Sequence, residues 1–105
     1  MTDSDKLRYQ IRADIMKALA HPTRLFILNL LKDGEKCVCE INEKTGSDMS
    51  TISKHLSLLK KEGMIQDRKQ GNNVYYRLKC VCIEDFFSCM EKVLLNRASE
   101  TRACC

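Results

Sequence analysis

Asp48-Met49-Ser50-Thr51-Ile52-Ser53-Lys54-His55-Leu56-Ser57-Leu58-Leu59-Lys60-Lys61 decides the fold. Ile52, Leu56 and Leu59 recur at helical spacing and face one way, leaving Ser50, Thr51, Ser53, Lys54 and Ser57 largely free on the other side. Ser47 or Asp48 can cap the start of this helix, and Gly63 stands behind its end. Working upstream, residues 37–44 read as a short helix closed by Gly46. Working downstream, the period changes from helical to alternating. Met64-Ile65-Gln66-Asp67-Arg68-Lys69, the turn Gln70-Gly71-Asn72-Asn73, and Val74-Tyr75-Tyr76-Arg77-Leu78 read as a β-hairpin.

A short helix, a glycine-containing turn, a second helix with a polar outer face and a basic hairpin behind it form a winged helix-turn-helix. The flanking segments complete it. Leu7, Ile11, Ile15 and Leu19 fall four apart, a narrow helical seam suited to a partner helix. His21-Pro22 breaks that helix, and Pro22 can occupy the first turn of the next, whose Leu25, Ile27, Leu28, Leu30 and Leu31 make it mostly buried. Phe86, Met90, Val93, Leu94 and Arg97 restore helical spacing from 83 to about 98. The expected fold is therefore mainly α with a β-hairpin wing. It occupies 1–98 as one domain, followed by a frayed, cysteine-containing tail at 99–105.

The chain has 105 residues, 18 basic against 14 acidic, for a formal charge of +4. That balance is compatible with an anionic partner such as DNA. Apolar runs are short and interrupted by charge, and Met1 leads into polar Thr2-Asp3-Ser4-Asp5, so neither a membrane span nor a signal peptide is expected. A cytoplasmic protein follows. Seven cysteines in such a compartment are kept reduced, and their expected chemistry is ligation or redox response.

On the reading helix, Ser50, Thr51, Ser53, Lys54, His55 and Ser57 suit major-groove base edges and phosphates, while Arg68, Lys69, Asn72 and Asn73 of the wing can reach the flanking backbone or minor groove. His55 carries two open readings, a base reader or a partly buried packing residue. Tyr75 and Tyr76 point to opposite faces of their strand, so at least one belongs to the core.

These residues carry a resemblance. Leu19-Ala20-His21-Pro22-Thr23-Arg24-Leu25-Phe26-Ile27-Leu28, Ser50-Thr51-Ile52-Ser53-Lys54-His55-Leu56-Ser57-Leu58-Leu59, Gly63-Met64-Ile65 and Gly71-Asn72-Asn73-Val74-Tyr75-Tyr76-Arg77-Leu78 resemble the ArsR/SmtB family of metal-sensing repressors, in order along nearly the whole chain. The resemblance implies a homodimer joined by the first and last helices, bound to an inverted-repeat operator in double-stranded DNA when free of ligand. Asn73, at a wing position often basic in such proteins, departs from the pattern.

Glu35-Lys36-Cys37-Val38-Cys39-Glu40-Ile41 resembles the Cys-Val-Cys motif with which arsenic-responsive and cadmium/lead-responsive members sense their ions. Residues two apart on a regular helix point to nearly opposite sides, so capture of one ion by Cys37 and Cys39 is expected to unwind that first turn beside the reading helix. Thiols at a helix N-terminus are also expected to have lowered pKa. No paired histidines stand on the last helix, which argues against a zinc or nickel sensor, and no cysteine precedes Cys37 to complete the cadmium/lead pattern. The inducer that fits is As(III) or Sb(III). The place of the third cysteine of the best-known arsenic pattern is Asn42, and Cys104 and Cys105 on the tail are the candidates for the missing sulfur. Cys80 and Cys82 lie where the hairpin turns into the last helix and read as structural; Cys89 joins the Phe86 and Val93 stripe as core.

Other readings remain. Two cysteines that join rather than chelate would make a redox or sulfide sensor. A dithiol arsenate reductase is disfavoured, since no Cys-x-x-Cys pair and no anion loop of cysteine and arginine occurs. Four cysteines, Cys37, Cys39, Cys80 and Cys82, can in principle hold a structural zinc, but the apolar core suffices to fold the chain.

Overall fold

A computed structural model describes residues 1–79 and 82–99. The chain runs α1 (Asp3–Leu19), α2 (Pro22–Leu31), β1 (Lys36–Cys37), α3 (Val38–Thr45), α4 (Met49–Lys61), β2 (Ile65–Gln70), β3 (Asn73–Leu78) and α5 (Ile83–Ser99). Helix α1 begins in a capping box, with the Thr2 side chain accepting from the Asp5 N–H and the Asp5 carboxylate accepting from the Thr2 N–H. Pro22 opens α2, and the His21 ring caps it by accepting from the Thr23 N–H.

Helix α3 stops at Gly46, whose φ of 71° lies in the left-handed region that favours glycine. Two residues later Asp48 caps α4 through the Thr51 N–H, so the whole turn of the helix-turn-helix is three residues long. The seam expected from sequence is the one that is buried: Ile52, Leu56 and Leu59 join Leu19, Ile27, Leu28, Leu31, Ile41, Ile65 and Ile83 in one core. Tyr76 packs against this core while Tyr75 lies under a guanidinium.

One element escapes a reading of the sequence. Lys36 and Cys37 pair antiparallel with Tyr76 and Tyr75, so the hairpin is two strands of a three-stranded sheet in the order β1-β3-β2. A two-residue strand has no period to detect and exists only through its partner.

One expectation about the periphery fails. Cys89 is exposed rather than part of the core, because α5 turns Phe86 and Phe87 inward instead. Along the α1 seam Ile15 and Leu19 meet the core, while Leu7, 66% exposed, and Ile11, 51% exposed, are left uncovered by the single chain. Among the described residues no helix is long and apolar enough to cross a membrane. Cys80, Cys104 and Cys105 lie outside the described residues.

Candidate functional site

Helix α4 presents Ser50, Ser53, Lys54 and Ser57 to solvent, with Thr51 half-buried beside them. Asp48 fixes the helix start by accepting from the Thr51 N–H and the Ser50 hydroxyl, both at 2.8 Å. The Thr51 N–H contributes most to holding the Asp48 carboxyl below its ordinary range. Beyond the helix, Lys60 donates to Asp67 at 3.0 Å and ties the end of α4 to β2. At the wing tip Gln70 and Asn73 are paired across a two-residue loop in which Gly71 adopts φ 62°, and Lys69, Asn72 and Asn73 are exposed.

His55 is half-buried and has close partners. Its ring lies 4.5 Å from that of His21, and its Nδ1 is 3.2 Å from Arg24 Nη1. Arg24 also donates through Nε to the Ala18 carbonyl at 2.6 Å and through Nη2 to the Lys17 carbonyl at 3.3 Å. One guanidinium therefore joins the end of α1 to the reading helix. Burial holds His55 below its ordinary pKa, and the adjoining His21 and Arg24 push the same way.

The thiol pair differs from the expected geometry. Cys37 is the N-cap of α3, extended at φ −77°, ψ 157°, and only Cys39 is helical. Their sulfurs therefore converge, 2.7 Å apart, instead of facing opposite ways. No unwinding is needed to bring both to one ion. The Cys37 sulfur accepts from the Glu40 N–H at 3.3 Å, and the Glu40 carboxylate accepts from the Cys37 N–H at 3.4 Å, a capping box with sulfur in the place of a hydroxyl. Contact with the Cys39 thiol raises the Cys37 pKa and outweighs the Glu40 N–H, which lowers it. The lowered pKa expected of a helix-terminal thiol is thus reversed at Cys37.

Two sulfurs are soft donors suited to a thiophilic ion. Among the described residues no group of three or more His, Cys, Asp or Glu comes together to hold a metal. Asn42, three residues after Cys39, buries its Oδ1 with no hydrogen-bond partner among the described residues. Cys37, Cys39 and Cys89 are free thiols.

Arg68 is the wing residue whose surroundings depart most from expectation. Its Nε and Nη2 donate to the two Glu35 oxygens at 2.9 and 2.7 Å, and its Nη1 donates to Gln70 at 2.5 Å. The guanidinium sits 4.7 Å from the centre of the Tyr75 ring. Glu35 and Arg24 were not singled out from sequence. Their partners lie 33 and 31 residues away, and no local pattern announces such pairings. Glu40 was within reach, since Cys37-x-x-Glu40 has capping-box spacing.

Residues 21–67 match the family described as "Bacterial regulatory protein, arsR family". An uncharacterized HTH-type transcriptional regulator of Methanocaldococcus jannaschii is 46% identical over 71 residues, 66% of this chain and 80% of the relative. The arsenical resistance operon repressor of Escherichia coli K12 is 41% identical over 73 residues, 69% of this chain and 62% of the relative. Among solved structures, the homodimeric winged helix-turn-helix domain from Mycobacterium bovis, described as a possible ArsR-family regulator, superposes with a TM-score of 0.82. It is 30% identical and the match covers 98% of this chain and 95% of that one.

Proposed function

Because the chain belongs to the arsR family of bacterial regulatory proteins and is a transcriptional repressor with a winged helix-turn-helix, we propose that it is a metalloid-responsive repressor whose inducer, As(III) or Sb(III), is taken by Cys37 and Cys39. The observation that carries this reading is the convergence of the two sulfurs at the N-cap of α3, one helix before the reading helix. The name of the Escherichia coli relative supports it.

Trivalent arsenic supplies a thiophilic centre. Arsenous acid is neutral, and its condensation with a thiol forms one As–S bond and releases one water, so the raised pKa of Cys37 does not oppose it. Divalent cations instead have to displace the thiol protons. Bonding commits lone-pair density of the Cys37 sulfur to arsenic, which weakens its hold on the Glu40 N–H and lets the capped first turn of α3 shift. Cys37 also pairs with Tyr75 of the wing, so the same movement loads the sheet.

In the ligand-free state the chain binds double-stranded DNA as a homodimer. Ser50, Thr51, Ser53, Lys54 and Ser57 lie toward the major groove and Lys69, Asn72 and Asn73 toward the flanking phosphates. A two-fold dimer matches an inverted repeat. Cys104 and Cys105 remain the candidates for a third sulfur.

The test is Cys37→Ser with Cys39→Ser. The double variant is expected to bind operator as the parent does and to ignore arsenite. Normal release in that variant would move the site to the remaining cysteines. The short sulfur–sulfur distance also favours a second reading, joining of the pair by a peroxide oxidant that takes two electrons and both thiol protons. Release by peroxide, reversed by dithiothreitol and absent with arsenite, would select it.

A further inference from the structure

We propose that Glu35 and Arg68 are positioning residues for the wing, and that their ion pair transmits the state of the thiol pair to it. The second clause rests on the reading of Cys37 and Cys39 given above.

The pairing register carries the argument. Cys37 of β1 stands opposite Tyr75 of β3, and Tyr75 stands opposite Arg68 of β2, so the sensing cysteine and the arginine occupy one rung across the sheet. Glu35 immediately precedes β1, two residues before Cys37, and reaches over β3 to Arg68, whose guanidinium lies on the Tyr75 ring. The pair thus joins the two outer strands of the sheet across the middle one. Two residues span at most about 7 Å, so a shift of Cys37 is felt directly at Glu35.

While this arrangement lasts, the Nε–Nη2 edge of Arg68 is taken by Glu35 and is not open to a bidentate phosphate contact. All three of its nitrogens donate within the chain, two to Glu35 in the bidentate fork and one to Gln70. The Glu35 side chain is 28% exposed and faces a second guanidinium, that of Arg77. Hydrogen bonding to Arg68 is the largest influence holding its carboxyl below the ordinary range. An isolated exposed ion pair contributes little, but a bidentate pair stacked on an aromatic ring and flanked by a second cation has fixed geometry. It has work to do here, because β1 meets β3 through two residue pairs only.

A mutant cycle on operator DNA decides the matter, using Glu35→Ala, Arg68→Ala and the double variant in the full chain, over a salt series and with or without arsenite. Each single change is expected to weaken ligand-free operator binding about three- to tenfold, with the double no worse than either alone. The salt slope should stay at the parent value. Removal of a carboxylate near DNA would by itself tighten binding, so weakening by Glu35→Ala is a stringent result. Arsenite should still bind one equivalent per chain to the variants while the ratio of operator affinities with and without it shrinks. Tighter binding by Glu35→Ala, or a slope lower by about one in Arg68→Ala with additive losses, would overturn the proposal and make Arg68 a phosphate contact. Failure of arsenite to release the parent protein would remove the metalloid reading and the transmission clause with it, and the cycle without arsenite would still decide the positioning role.

Discussion

At the scale of the residue, environment decides role. Lys54 and His55 are neighbours on α4, yet Lys54 is exposed and His55 is packed against His21 and Arg24. Lys54→Ala is expected to weaken operator binding and lower the salt slope by about one, as the loss of one neutralised phosphate requires. An unchanged slope would place Lys54 outside the interface.

His55 predicts a pH effect instead. Its folded pKa lies below the unfolded value of about 6.5, so the folded chain holds fewer protons than the unfolded one between those two values. Stability is full above about pH 6.5, declines as pH falls through that value, and stops declining from this group below the folded pKa. Urea denaturation at about pH 7.5 and about pH 5.5 should show the parent losing more stability than His55→Gln. Equal losses would remove His55 as the titrating group.

The elements are joined by a turn and two caps. Gly46 has φ 71° with nothing within 4 Å of an added Cβ, so Gly46→Ala meets backbone strain without a clash. A loss of about 1 kcal/mol, measured by thermal or urea unfolding, is expected. In the core of α4, Leu56→Ala is expected to cost about 2–5 kcal/mol. On α3, Asn42 stands one turn beyond Cys39 on the same face of the helix. Asn42→Cys adds a sulfur there and removes an unpartnered buried oxygen, so release of operator is expected at lower arsenite concentration. No change would argue against ligation at the start of α3.

Most of this level was legible. Ile52, Leu56 and Leu59 announce α4, Gly46 and Asp48 mark its approach, and alternation marks the hairpin, because each is a local property of the chain. The third strand, the Glu35–Arg68 pair and the Arg24–His55 contact were not, because each joins residues more than 30 apart in sequence. The geometry of the thiol pair was not legible. A helical frame was applied to Cys37, whose extended backbone as the N-cap turns its sulfur toward Cys39.

At the scale of the molecule, the single chain leaves Leu7, Ile11, Leu94 and Leu95 half or more exposed on α1 and α5. Such side chains on the two terminal helices fit the proposed homodimer, which would cover them. Ile11→Glu is expected to shift the protein toward monomer in sedimentation equilibrium and to weaken operator binding with it. A dimer of unchanged stability would place the interface elsewhere.

The central claim is that thiol capture near α3 releases DNA. The most direct test is fluorescence anisotropy of the protein on its own upstream DNA, titrated under reducing conditions with arsenite, antimonite, cadmium, lead and zinc. Loss of operator affinity by roughly tenfold to a hundredfold with arsenite or antimonite, and little with zinc, is the expected result. Tight binding indifferent to every ion would contradict it.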